Sequence, residues 1–287
     1  MDWPRVALRL AAPAKLNLSL RVVGRRPDGF HELDGVMVLL ELADELLLSP
    51  GDDGLIVEAS KGDLPRYPTS NLAWRGLAAG LGAGPGDVSL SLTKCIPVGA
   101  GLGGGSSDAA AGWRLGRRSA GASADPTAEE LSDLAAIGAD VPFFAAQTPV
   151  ARVSGVGDRV EPIQLPRGTG TEVVLALARF PLSTAAVFAE LQESDWGRGG
   201  PEGNDLLAPA RRIRPEIDDI VRLMVSAGAE PHMSGSGPTL YGLVDDPGRA
   251  DAVAGLLKRG GVSTLRTRLR KEPASIETAA ASMKVQQ

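Results

Sequence analysis

The chain holds one cysteine and two histidines in 287 residues. A lone cysteine, Cys95, forms no internal disulfide, which fits a reducing compartment. With no histidine near it in sequence, it reads as a small buried residue rather than a nucleophile. Two histidines and one cysteine argue against a His/Cys zinc site, so no metal ligands are assigned. No apolar run reaches the ~18 residues of a membrane span, and the opening Met-Asp-Trp-Pro-Arg lacks a signal-peptide pattern. A cytoplasmic protein is expected. The net charge of −5 gives no general pull toward nucleic acid or an anionic membrane, so neither partner is expected and any anion site must be local. Lysine is scarce as well, six residues against 24 arginines. Lys15 and Lys94, each beside a motif, therefore stand out. What is left is ordinary: 43% hydrophobic and 23% charged residues, in a chain long enough for one large domain or two.

The densest feature is Cys95-Ile-Pro-Val-Gly-Ala-Gly-Leu-Gly-Gly-Gly-Ser-Ser-Asp108, with five glycines between Gly99 and Gly105. It follows an alternating strand (Val88, Leu90, Leu92) and leads into a helical run predicted over Asp108 to Arg118. So many glycines give up much chain entropy on folding. Close approach of backbone N–H groups to a bulky anion gives a reason, and a helix N-terminus behind them adds favourable partial charge. Ser106 and Ser107, at the predicted cap, offer hydroxyls to phosphate or magnesium. The stretch reads as a nucleotide triphosphate loop. A flexible turn with a serine cap is the plainer alternative. A dinucleotide fold is a second one, because Gly99-x-Gly101-x-x-Gly104 has its spacing, but no strand ending in an acid follows the helix. A Walker loop is excluded, since no Lys-Ser/Thr follows the glycines.

Around this loop the period-two pattern of Leu16, Leu18 and Leu20 puts Lys15, Asn17 and Ser19 on one strand face. Gly24 to Leu33 is a loop that either tucks Phe30 into the core or presents it as a stacking surface. Strands are predicted over Val36 to Leu48 and Leu55 to Glu58, and a helix begins near Ser70 or Asn71. A second helix starts at Thr127, which can form a capping box with Glu130. Asp140 opens a third, either as N-cap or as an acceptor or base. A hairpin over Val150 to Val153 and Arg159 to Gln164 precedes a boundary near Pro166 to Thr171. Beyond it, strands and helices alternate as two β-α-β units, suggesting a ferredoxin-like sandwich. Ser234-Gly-Ser-Gly-Pro238 leads into a strand from Thr239. The tail from Glu272 reads as polar and loose, apart from a possible short helix.

Three of these segments, Pro13-Ala-Lys-Leu-Asn-Leu18, Ile96 to Ser107 and Ser234-Gly-Ser-Gly-Pro238, resemble in order the motifs of the GHMP kinases. Further segments, Arg26-Pro-Asp-Gly-Phe-His-Glu-Leu33, Gly138-Ala-Asp-Val-Pro-Phe143 and Gly203-Asn-Asp-Leu206, resemble the branch acting on a cytidine diphosphate-linked sugar alcohol. The resemblance implies an α+β, two-domain fold: a ribosomal-protein-S5-like N-terminal domain over 1–165 and a ferredoxin-like C-terminal domain over 166–287, with the active site between them. It implies ATP-dependent, Mg²⁺-assisted phosphorylation of the substrate's 2-hydroxyl, in the non-mevalonate route to isoprenoid precursors, by a monomer or homodimer. Lys15 and Asp140 match the family's catalytic pair and Asn17 its substrate-binding asparagine. The ATP site is matched by Asn71, Lys94, Pro97, Gly99, Gly101, Leu102, Gly103, Gly104, Gly105, Ser106 and Ser107. Phe30 and Phe188 match two aromatics that stack on cytosine, with His31 reading the base edge and Thr184 nearby. Phe30 stands where a tyrosine is usual, and Ala185 where a proline is. Other readings are a silent family member acting as a regulator, or a kinase of a smaller alcohol such as homoserine or mevalonate. A small alcohol would have no base to stack on the Gly29-Phe-His-Glu-Leu33 loop.

Overall fold

A computed structural model of the chain describes residues 6–51, 53–59, 68–82, 84, 86–165, 171–197 and 203–279. The predicted boundary falls partly in 166–170, outside the described residues, as do 280–287. The first part of the chain runs β1 (Ala7–Arg25), β2 (His31–Pro50), β3 (Gly54–Ala59), α1 (Leu72–Leu81), β4 (Val88–Lys94) and α2 (Gly104–Ser119). It continues with α3 (Ala128–Ala135), α4 (Val141–Ala145), β5 (Val150–Gly155) and β6 (Arg159–Pro162). The second part runs β7 (Glu172–Leu177), α5 (Thr184–Glu190), α6 (Leu207–Ile213), α7 (Ile217–Ser226), β8 (His232–Met233), β9 (Leu240–Val244), α8 (Pro247–Arg259), β10 (Ser263–Arg268) and β11 (Glu277–Ala279).

The long hairpin of β1 and β2 is the spine of a seven-stranded sheet. β2 serves two further neighbours, pairing β5 through Leu33–Val38 and β4 through Glu45–Pro50. β3 lies parallel to β4, with α1 as the crossover. Two features follow from glycine. Gly76 and Gly80 of α1 face Ala109 and Trp113 of α2, and Gly112 and Gly116 of α2 face Ala73 and Leu77 of α1. At each, a Cβ would overlap the opposing backbone, so the helices meet main chain to main chain. This close pair seats α2, and the glycine loop before it, against the sheet. The second sheet has the order β10-β7-β9-β8, the antiparallel arrangement of a β-α-β-β-α-β sandwich, as predicted. The tail departs from the expected loose segment: β11 pairs with Ala7–Arg9 at the edge of the first sheet, and Ala274 is buried.

The two sheets meet through Leu16, Val38, Leu40, Leu102, Val173, Leu175 and Tyr241, all essentially buried in one apolar cluster. Burying each such side chain contributes about 1.5–3 kcal/mol, so the floor of the cleft between the sheets is set by packing. The Tyr241 hydroxyl, enclosed there, donates to the carbonyl of Asn17 at 2.7 Å. That bond ties β9 to the strand carrying Lys15.

Candidate active site

β1 is bulged between Pro13 and Lys15 and again between Asn17 and Ser19. Bulges re-aim side chains. Between the two, Lys15 and Asn17 keep one face, and Lys15 Nζ lies 2.5 Å from Asn17 Oδ1. Ser19, predicted on the same face, is diverted past the second bulge, where its hydroxyl accepts from Val36 N at 3.1 Å. Lys15 Nζ also lies 3.4 Å from Asp140 Oδ2, with side-chain exposures of 4% and 29%. Asp140 occupies the N-cap position of α4 but makes no side-chain cap hydrogen bond. The carboxylate thus faces Lys15 and makes no bond to the end of its own helix.

The glycine loop crosses directly above. Gly99, Gly101 and Gly103 have φ of 67°, 74° and 71°, alternating with residues of negative φ. Such alternation turns successive N–H groups inward as an anion-binding nest. α2 begins at Gly104, four residues before the predicted start, with Gly103 as N-cap. Gly104 and Gly105 therefore form its first turn, where helix propensity matters less than the free N–H groups. The glycines answer to protein contacts too. A Cβ on Gly101 would stand 2.6 Å from Gly237 O and 2.7 Å from Ser234 O, and one on Gly103 would stand 2.8 Å from Phe144.

Two cavities meet at this loop. One, of about 410 Å³, is lined by Asn71, Lys94, Pro97, Leu102, the loop glycines, Ser106 and Asp108. The other, of about 660 Å³, is lined by Lys15, Asn17, Phe30, His31, Asp140, Thr184, Phe188 and Gly235. Gly101, Gly103 and Ser106 belong to both walls. Ser107 is buried and lines neither, its hydroxyl lacking a partner. Asn71 caps α1, its Oδ1 accepting from Ala73 N at 2.9 Å.

Lys94 is less free than its sequence position suggests. Its ammonium pairs with Asp44 and, at 2.7 Å, with Asp108. Burial works to lower the Lys94 pKa, and Asp108 and Asp44 overcome it, so the net direction is up. Burial first, with Asp44 adding to it and Lys94 opposing, pushes the Asp108 carboxyl up to about 7. Asp44 Oδ1 also accepts from Cys95 N and Ile96 N at 2.5 and 2.8 Å. Sequence reasoning missed Asp44, although the signal was there: an acid on the strand face that carries Leu46 and Leu48. Cys95, expected to be buried, is exposed. The alternation of β4 sends Lys94 inward and turns Cys95 out.

At the far end of the larger cavity Phe30 is 65% exposed, so it lies outside the core. His31, not Phe30, faces Phe188, with ring centroids 5.2 Å apart and planes at 25°. The two rings touch, with no third ring between them. Burial, then Arg25, lowers the His31 pKa, favouring a neutral imidazole that offers both a donor and an acceptor. The Thr184 and Ser236 hydroxyls lie 2.8 Å apart between this aromatic end and Lys15.

Comparison with known proteins accounts for both halves. The family models for the GHMP kinases N terminal domain and the GHMP kinases C terminal match residues 70–147 and 187–262. A protein of Ruegeria pomeroyi named 4-diphosphocytidyl-2-C-methyl-D-erythritol kinase is 37% identical over 265 residues, covering 85% of this chain and 91% of its own. One of the same name from Novosphingobium aromaticivorans is 38% identical over 259 residues, covering 86% and 87%. The crystal structure of a 4-(cytidine 5'-diphospho)-2C-methyl-D-erythritol kinase superposes with a TM-score of 0.74 at 34% identity, over 92% of this chain and 99% of that one. A homoserine kinase of Cytophaga hutchinsonii shares the fold, with a TM-score of 0.68 at 18% identity, over 96% and 99% of the two chains. The chain belongs to the GHMP kinases, and among them to the family of the 4-diphosphocytidyl-2-C-methyl-D-erythritol kinases.

Proposed function

We propose that the chain transfers the terminal phosphoryl group of ATP to the 2-hydroxyl of 4-diphosphocytidyl-2-C-methyl-D-erythritol, in the non-mevalonate route to isoprenoid precursors. One observation carries the reading. Asp140 leaves its own helix uncapped and instead faces Lys15 at 3.4 Å, in a cavity that shares the glycine-loop wall with a second cavity. Nucleotide in the smaller cavity brings its last phosphate over Gly101, Gly103 and Ser106. The hydroxyl to be phosphorylated waits on the other side.

Phosphoryl transfer asks a protein mostly for position and charge stabilisation. Asp140 accepts the hydroxyl proton, and the Lys15 ammonium keeps that carboxylate in place and faces the incoming oxygen. Asn17 fixes Lys15 from the other side. The loop N–H groups hold the charge that spreads over the transferred group. Among the described residues no cluster of three His, Cys, Asp or Glu side chains forms a metal cage. A magnesium ion that keeps its waters and leans on substrate phosphates needs few protein ligands, and Ser106, a residue of both walls, would hold it through its hydroxyl. Bound there, it would neutralise phosphate charge.

The cytidyl end lies against Phe30, His31 and Phe188. Because His31 and Phe188 touch, a cytosine stacked on Phe188 displaces the imidazole toward the base edge, and Phe30 covers the other face. The test is a panel of alcohols with ATP and Mg²⁺, read as ADP release. Turnover is expected to favour 4-diphosphocytidyl-2-C-methyl-D-erythritol. A preference for homoserine or mevalonate sinks the cytidyl reading.

A further inference from the structure

The Gly203-Asn-Asp-Leu206 segment has no part in the steps above, although it touches their machinery. Asn204 spends its whole side chain on main chain. Its amide donates to Met233 O at 2.8 Å and Gly235 O at 2.7 Å, and its Oδ1 accepts from Leu206 N at 2.9 Å. The flanking backbone is tied to β1 of the other sheet, by Leu20 N to Gly203 O and Asp205 N to Leu20 O, each 2.9 Å. Asp205 Oδ2 accepts from Val22 N at 2.9 Å. The segment is thus fastened to the strand bearing Lys15 while it grips the turn that follows β8.

That turn backs the catalytic lysine. A Cβ on Gly235 would sit 3.2 Å from Lys15 Nζ and 3.4 Å from Gly101 O. Its neighbour Ser234 donates to Gly101 O at 3.0 Å. Two hydrogen bonds from one amide therefore set how closely the turn presses on Lys15, while the glycine loop is held by the separate bond from Ser234. We infer that Asn204 is a positioning residue for phosphoryl transfer: it clamps the Met233–Gly237 turn behind Lys15 and holds the ammonium in register with Asp140. The inference rests on the kinase reading above and adds to it a residue that touches neither nucleotide nor alcohol.

A clamp of this kind acts on turnover, not on nucleotide affinity. In Asn204→Ala, kcat per folded molecule is expected to fall about tenfold or more with the KM for ATP within about twofold, since the loss lies in the geometry of the transfer step. Asn204→Asp keeps the acceptor for Leu206 N and removes both donors, so it should behave alike even if the alanine variant folds poorly. Gly235→Ala pushes a methyl at Lys15 Nζ directly. If both act through that turn, the double variant falls little below the worse single one, since residues sharing partners are not additive. A readout independent of turnover is acetylation of Lys15 by an amine-reactive ester, measured by peptide mass spectrometry against exposed Lys258 of α8. Loosening the turn should speed Lys15 labelling several-fold. Unchanged Lys15 labelling, losses that multiply in the double variant, or a lower Tm at unchanged kcat per folded molecule each overturn the clamp. No turnover by the wild type refutes the function reading instead, and labelling still decides the clamp.

Discussion

Replacing Lys15 with methionine keeps most of the stem volume and removes the charge. In the structure the ammonium is almost wholly enclosed, 4% exposed, and lies 3.4 Å from an Asp140 carboxylate that is 29% exposed. At that separation and an effective dielectric of about 20, two unit charges attract by about 5 kcal/mol. Solvent reaching Asp140 screens this toward the roughly 0–1 kcal/mol of exposed pairs. Folding recovers only that part, against the desolvation of a buried ammonium, whereas methionine desolvates at no such cost. Asp140 keeps its access to water when the lysine is gone. The buried Asn17 Oδ1 loses its donor, at a cost of about 1–3 kcal/mol, so stability is expected to stay level or fall slightly. In the transition state, by contrast, the lost donor faces developing charge in the cleft, where one preorganised donor is worth about 2.7–4 kcal/mol. That corresponds to a fall in kcat of about 10²- to 10³-fold. The measurements are ADP release under saturating substrates and thermal unfolding of the same preparations. Lys15→Met that unfolds normally and turns over within tenfold of wild type would refute the catalytic placement of this residue.

Asp140→Asn, which retains shape, should lower kcat about 10²-fold or more with substrate KM little changed; near-normal turnover would remove the base assignment. Gly101→Ala, aimed at Gly237 O and Ser234 O, should raise the KM for ATP and lower Tm far more than Gly99→Ala, which meets nothing within 4 Å and differs only in its strained φ; equal effects would contradict the packing of loop against turn. Phe188→Ala and Phe30→Ala should each raise the KM for the cytidyl substrate roughly 5- to 150-fold, from base–aromatic stacking of about 1–3 kcal/mol, leaving the KM for ATP alone; unchanged KM values would remove the stacking role. For Asp108 the ordinary value is 3.8 and the folded value is about 7, so the native state holds the extra proton between them. Stability should then fall as pH rises through that window and level off above it. Asp108→Asn should flatten the slope in urea unfolding at pH 5, 6, 7 and 8, and an unaltered slope would assign it to other groups.

Hydrogen bonds that close within three or four residues are legible from the local order of residues alone. The Thr127–Glu130 capping box forms both of its bonds, at 2.8 and 3.2 Å, because cap geometry depends only on adjacent backbone. The strand over Val88 to Thr93 and the acid at the start of α4 are local in the same sense, as are the three motifs that identify the family. The helix start at Gly104 was misplaced by the same local logic. Glycine propensity argues against a helix there, and the packing of α2 on α1 through Gly112 and Gly116 overrides it.

By itself, the sequence determined the family and pointed to the two sheets, since each is carried by residue types at fixed short spacing, and the family motifs named Lys15 and Asp140 as the proposed reacting pair. Only the tertiary structure decided what those residues face. Asp140 becomes a partner of Lys15 across 125 positions, Lys94 is taken by Asp44 and Asp108, and His31 replaces Phe30 against Phe188. Asn204 reaches the turn behind Lys15, and β11 returns to the edge of the first sheet. The physical reason is common to all of them. A side chain's partner far along the chain is chosen by how the two sheets pack, and that packing is a sum over many apolar contacts that no short segment contains.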